Sequence, residues 1–411
     1  MDLALGSDAE NMLLALALIA CSPPTDNTEL TPLEDLALVE PEAMHPDQVL
    51  VLDAGPVEPG LVGQQLTPLR FFRSTTVYAL PADVDPLEAI EALREQGYAA
   101  EPDLERTTLS NDPLAYAQWH MEAINAEEAW VESTGNGVMV AVLDTGVSPG
   151  GEDAPHTISG WDFIQDDGWA NDAHGHGTHV AGTVAQPANN GVGGHGVAPD
   201  ATILAVRVLD RNGRGWTSDI IAGIELAVDE GADIINMSLG SYNHSSAERR
   251  ALKDAEAAGV LMVGAAGNDN QKGMVYPARY PEVIGVTAVD ARNVRAPYSN
   301  WFWTAELCGP GGDTSKDRNG DGLVDGVLQE TRINGSYGHY FFQGTSMASP
   351  HVAGVAALVM ALGPDATETR EILQNTAVDL GRTGKDNRYG YGLVDALAAV
   401  SATFNLSDAP E

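Results

Sequence analysis

The sequence is short of cysteine, of lysine and of long apolar runs, and each shortage removes a class of protein. Two cysteines in 411 residues, Cys21 and Cys308, cannot form a disulfide framework, and they are too few for a structural zinc site of three or four thiolates. Lysine appears four times, and Lys and Arg together number 21 against 59 Asp and Glu, a formal charge of −38. A surface that acidic repels a phosphate backbone, which argues against nucleic acid as a partner. It suits divalent cations or a saline medium that screens the charge, although a merely solvated acidic surface is the simpler account. The apolar run that ends at Cys21 is too short to span a bilayer as a helix.

What is present divides the chain into five segments. Residues 1–21 end in "LIAC" and resemble a bacterial lipoprotein signal with Cys21 as the lipid-bearing residue. They depart from one in "MDLALGSDAEN", which is acidic where a signal begins basic. The segment predicts an extracytoplasmic protein, secreted or lipid-anchored. Residues 22–48, rich in Pro, Asp, Glu and Thr, read as a flexible linker. Residues 49–110 carry a small α/β pattern: "QVLVLDA" and "TTVYALP" as strands, "DPLEAIEALREQG" as an amphipathic helix, "YAAEPDLERTTL" as a last strand. Between residues 111 and 404 strand and helix patterns alternate, as a mostly parallel sheet covered on both faces requires. Its strand candidates are "GVMVAVLD", "TILAVRVLD", "ADIINMSLGS", "VLMVGAAGN" and "VIGVTAVD". Residues 405–411 form an acidic tail, and no repeat of 20–50 residues is visible.

Polar residues sit where such a sheet collects its ligands, at the carboxyl ends of strands. Asp144 ends "VMVAVLD", and Asn268 ends "VLMVGAAGN"; alone, each is more often a turn residue. Ser346, in "GTSMASPHVAGVAALVMAL", stands at the mouth of a helix that is apolar all round, where serine usually caps. In "HGHGTHVAGT", residues 174–183, three histidines fall within six positions, which fits either a metal site or one catalytic base with bystanders. The spacing disfavours metal. His176 and His179 are i, i+3 with no glutamate between them, whereas a helical zinc pair stands at i, i+4.

Taken together, "DTG" with Asp144, "HGTHVAGT" with His176, "AAGN" with Asn268 and "GTSMASP" with Ser346 resemble the four signatures of the subtilisin-like serine peptidases. The order Asp, His, Ser is also that family's order, and no G-x-S-x-G surrounds Ser346 to favour an esterase of the α/β-hydrolase type. The resemblance covers residues 111–402. It implies a subtilisin-like three-layer α/β domain with a mostly parallel central sheet, preceded by a small α/β propeptide domain at 49–110. It further implies a serine endopeptidase with Ser346 as nucleophile, His176 as general base, Asp144 as its orienting acid and Asn268 as oxyanion donor. By the same resemblance Ser238, Leu239 and Gly240, with Gly215 and Trp216 opposite, pair with an extended peptide substrate. A first pocket is then walled by Ser238–Gly240 and by Ala265–Gly267, near Met274 and Val275, with Trp216 and Thr217 bordering a fourth. These small apolar walls predict an apolar or aromatic residue before the cleaved bond. The domain at 49–110 is expected to inhibit the enzyme until autocleavage near residues 107–111, and the enzyme to act as a monomer. Cys308 reads as a small buried hydrophobe.

A calcium pattern completes the reading. In "DRNGDGLVDGV" Asp317, Asn319, Asp321 and Asp325 stand at positions 1, 3, 5 and 9 of a calcium loop, with the Leu323 carbonyl at 7 and Gly322 at the sharp turn. Position 12 is Leu328 instead of a bidentate Glu, so a weaker site is expected. Family resemblance points to a second site at Asn190 and the carbonyls of Ala188, Val192 and Gly194, with Asp112 and Asp153 as carboxylates. The expected cofactor is structural Ca2+.

Overall fold

The computed structural model describes residues 44–52, 60–61, 64–71, 75–81, 84–104 and 110–407. The signal-like segment, Cys21 and most of the linker lie outside them. The described residues fall into two compact units, one within 10–107 and one within 108–411.

In the first unit, strands β1 (Met44–Leu52), β2 (Thr67–Phe71), β3 (Thr75–Ala79) and β4 (Ala99–Leu104) form an antiparallel sheet of order β2-β3-β1-β4. Strand β1 begins five residues inside the stretch read as linker. Its pairing with β4 shifts register between Met44 and Val49, and a bulge of this kind carries "HPD" in a strand that composition alone argues against. Helix α1 (Pro86–Glu95) starts at Asp85, whose carboxylate accepts the Leu87 and Glu88 N–H groups. Its Ala89, Ile90 and Leu93 pack with Val49, Val51 and Ala100 of the sheet.

In the second unit, seven strands form one parallel sheet: β5 (Met139–Asp144), β6 (Thr157–Asp162), β7 (Thr202–Arg207), β8 (Ile234–Met237), β9 (Leu261–Ala265), β10 (Ile284–Val289) and β11 (Leu307–Pro310), in the order β11-β10-β9-β8-β5-β7-β6. Strands β12 (Val327–Ile333) and β13 (Ser336–Phe342) make a separate antiparallel hairpin. Alternation along β5 divides the core. Val140 and Val142 face helices α2 (His176–Ala185) and α5 (Thr345–Met360), with α7 (Ala396–Ser407) in the same layer. Ala141 and Leu143 face α3 (Thr217–Asp229) and α4 (Ser246–Ala257) on the other side. The result is a three-layer α/β domain. Helix α6 (Ala366–Thr376) begins with a full capping box at Asp365 and Glu368. Helix α7 runs to Ser407, three residues into the stretch read as an acidic tail. Cys308 is fully buried in β11, and burial pushes its thiol pKa well up, so it packs as a hydrophobe.

Candidate active site

Asp144 ends β5 fully buried, and its Oδ1 accepts from the Thr145 N–H at 2.7 Å and meets His176 Nδ1 at 2.8 Å. Asp144 Oδ2 is buried and has no donor. His176 opens α2, and the helix can start this close to the acid because its second residue is glycine. A Cβ on Gly177 would lie 2.2 Å from Gly146 O and 3.0 Å from the Asp144 Cβ. Burial pulls the His176 pKa down, but the charge and hydrogen bond of Asp144, and then the charge of Asp172, outweigh it, and the net shift is upward from 6.5.

Asp172 is a residue the motifs did not reveal. Buried, it accepts the N–H groups of His174, Gly175 and Thr178 and the hydroxyls of Thr145 and Thr178. It thus fixes the turn that delivers His176. The other two histidines of the motif take separate places. His174 lines the cleft beside His176. His179 stacks on Phe342 at 4.3 Å and hydrogen-bonds through Nε2 to the Val327 or Tyr340 carbonyl; burial drives its pKa down to about 3.

Ser346 lies in the first turn of α5, half-buried, with Oγ donating to the Ser238 carbonyl at 3.2 Å. Pro350, four residues on, has no N–H for the Ser346 carbonyl, and the Ser238 hydroxyl supplies the missing donor at 2.8 Å. Ser349 Oγ donates to Asn236 Oδ1 and Asn236 Nδ2 to Ser238 Oγ, so a chain of buried polar groups ties the start of α5 to the end of β8.

Asn268 follows β9. Its Oδ1 accepts from the Thr345 N–H at 2.8 Å and the Thr345 hydroxyl at 3.0 Å, which turns Nδ2 the other way. Gly344 has φ +152°, and a Cβ there would sit 3.4 Å from Asn268 Nδ2 and 3.6 Å from Ser346 N. Two N–H donors therefore flank one small space that only glycine leaves open.

A cleft of about 1040 Å³ runs from His176 past Gly213–Thr217 on one wall and Ser238–Ser241 on the other, so Gly215, Trp216, Ser238, Leu239 and Gly240 all line it. Ala266 and Gly267 do not line this cleft. They lie behind Gly240: Val275 donates its N–H to Ala266 O, and a Cβ on Gly240 would meet Val275 Cγ2 at 2.4 Å.

The acidic loop at 317–325 turns most of its carboxylate oxygens onto its own backbone. Asp317 accepts the Gly320 and Gly322 N–H groups, Asn319 that of Asp321, and Asp321 that of Leu323. Asp325 Oδ1 is buried without a donor, and burial raises that carboxyl's pKa, with the charges of Asp317 and Asp321 adding to the shift. An all-oxygen set with one orphaned buried carboxylate oxygen suits a hard cation. At the second loop Asp112 accepts the N–H groups of Asn189, Asn190 and Gly191, and Asp153 accepts from Asn190 Nδ2, Gln186 Nε2 and Gly194 N. Those carboxylates are satisfied by donors, and a cation there requires the Asn190 amide to turn its oxygen inward. Among the described residues no group of three or more His, Cys, Asp or Glu side chains stands ready to hold a metal.

A buried acid, a histidine and a serine in that chain order, at the carboxyl edge of a parallel sheet, define a hydrolase-type site. The profile of the subtilase family matches residues 135–392. The thermostable alkaline protease of Halalkalibacterium halodurans is 42% identical over 281 residues, covering 68% of this chain and 72% of that one. Subtilisin BL of Lederbergia lenta is 40% identical over 284 residues, covering 68% and 97%. Among solved structures, a protease of Pseudoalteromonas arctica superposes with a TM-score of 0.66 at 36% identity, covering 72% of this chain and 99% of that one. The chain belongs to the subtilase family and is a subtilisin-like serine endopeptidase.

Proposed function

We propose that Asp144, His176 and Ser346 form the catalytic triad, with Asn268 Nδ2 and the Ser346 N–H as the oxyanion donors. The observation that carries this is the open space at Gly344, flanked by both donors beside the nucleophile, with His176 held by Asp144 at 2.8 Å. The Ser346 hydroxyl leaves the Ser238 carbonyl and gives its proton to His176 Nε2 as Oγ attacks the peptide carbonyl. The oxyanion takes the two N–H groups, and His176 then protonates the leaving amine. Water repeats the sequence on the acyl-enzyme and frees the acid. Asp144 keeps the proton of the resting imidazole on Nδ1 and stabilises the imidazolium. The small walls at Ser238–Gly240, backed by Ala266, Gly267 and Val275, favour an apolar residue before the cleaved bond. The enzyme is made as a zymogen that cuts itself near residues 107–111, works outside the cytoplasm as a monomer, and is stabilised by calcium. The loop of Asp317, Asn319, Asp321, Leu323 and Asp325 is the stronger calcium candidate, and that of Asp112, Asp153, Ala188, Asn190, Val192 and Gly194 the second.

The test is labelling by a fluorophosphonate, expected at Ser346 and lost in His176→Ala, followed by cleavage of casein. Ser346→Ala should remain full-length while the unmodified chain shortens. Labelling that persists in His176→Ala, or equal shortening of both purified chains, overturns the respective assignment.

A further inference from the structure

Helix α4 buries the stripe 248, 251, 252 and 255, and three of those positions are Ala251, Leu252 and Ala255. The fourth is Glu248. It is only 5% exposed, yet it lines the substrate cleft, as do Thr217, Asp219, Ile220 and Tyr276. A carboxylate on the apolar face of a helix costs stability unless something answers its charge. Among the described residues no ion pair reaches it; the neighbouring Arg249 and Lys253 turn to Glu282. The Tyr280 hydroxyl is within hydrogen-bonding reach, but it has one proton, and the Ser245 carbonyl lies 2.8 Å away to take it. Burial accordingly raises the Glu248 pKa. Asp210 and Asp219 line the same cleft against a single arginine, Arg214, whose backbone N–H is bonded to Asp210.

We propose that the part of the cleft walled by Glu248, in a cleft that Asp219 also lines, is a subsite for a lysine or arginine side chain four residues before the scissile bond. The bordering residues Trp216 and Thr217 fix the position, and the inference rests on the peptidase reading of the same cleft. The cation completes a buried pair that the free enzyme leaves half-made. The chain's own sequence meets both demands at one bond. Cutting between Leu109 and Ser110, in "ERTTLSND", puts apolar Leu109 before the cut and Arg106 three places further back. Hydrolysis there leaves the Leu109 carboxylate and the Ser110 amine.

The test uses the processed enzyme and internally quenched peptides copying residues 103–112, with Arg106 kept or replaced by Leu or Glu. The unmodified enzyme should cleave the Arg peptide at least about tenfold better in kcat/KM than the Leu peptide, and the Glu peptide worst. In Glu248→Gln the Arg:Leu ratio should fall towards one, and in Glu248→Leu it should invert. The ratio should also decline on acidification, starting above the usual carboxylate range. An unmodified enzyme that cleaves the Leu peptide as well as the Arg peptide overturns the subsite without any variant. So does a ratio unchanged in both variants when all are equally labelled by fluorophosphonate. Failure to label, or to cut any peptide, would instead strike the peptidase reading.

Discussion

Asn268 shows how much one amide can carry. Its oxygen is held twice by Thr345, so its nitrogen is aimed before substrate arrives, and no reorganisation is needed at the moment of reaction. Asn268→Ala should lower kcat by about 10²–10³ with KM little changed, the magnitude found for the corresponding donor in subtilisin itself. Steady-state kinetics on one peptide decides it; an unchanged kcat rules out the donor role. His176 makes a second prediction at the same scale. Catalysis needs the neutral imidazole, and the pKa is raised above 6.5. The acid limb of kcat/KM should therefore have its midpoint above 6.5, activity rising as pH passes upward through it. Asp144→Asn removes the charge that raises the pKa, so the midpoint should move down as the rate collapses. A midpoint that stays put in Asp144→Asn refutes the coupling.

At the scale of elements, the loop proposed to bind calcium sits directly before the β12–β13 hairpin, on which His179 and Gln186 of the α2 region also rest through Val327 O and Glu330 N. An ion that binds only the folded loop stabilises by mass action, in proportion to the logarithm of its concentration over Kd. Chelator should lower Tm and hasten self-digestion, millimolar Ca2+ should restore both, and the double variant Asp317→Ala, Asp321→Ala should lose part of that response. Identical melting with and without chelator would remove calcium from the account. The elements also show what a sequence can reveal. All five runs of mainly apolar residues became central strands, because a strand buried on both faces carries few polar residues to disguise it. Edge strand β6, "TISGWD", stayed hidden because one side of it meets solvent and Gly160 interrupts its pattern. Strand β11, "LCGP", is four residues long and contains both punctuators. The residues of the site were visible where family motifs contain them. Asp172 lies just outside those motifs, and the roles of Asn236, Thr345 and Ser349 were not legible, since they act by hydrogen bonds to distant segments that only the fold brings near.

For the whole molecule the dominant quantity is the charge of −38. Repulsion among acids opposes the compact state, and salt screens it over about 10 Å at 0.1 M. Melting temperature should climb as monovalent salt rises from roughly 0.01 to 1 M at fixed calcium. A flat or falling curve would show that the acids are already compensated pairwise.

Helix α5 carries Ser346 at one end and is otherwise core, with Met347–Val359 buried throughout. The nucleophile cannot loosen without opening the layer that holds the domain together. For an enzyme whose unfolded copies are food for its folded ones, this turns durability into a question of rate. When cleavage of opened chains outruns their refolding, every opening is fatal, and the lifetime of the population approaches the reciprocal of the unfolding rate, whatever the equilibrium free energy. Concentrating the enzyme should then shorten its half-life only down to that floor, where further crowding with its own kind changes nothing.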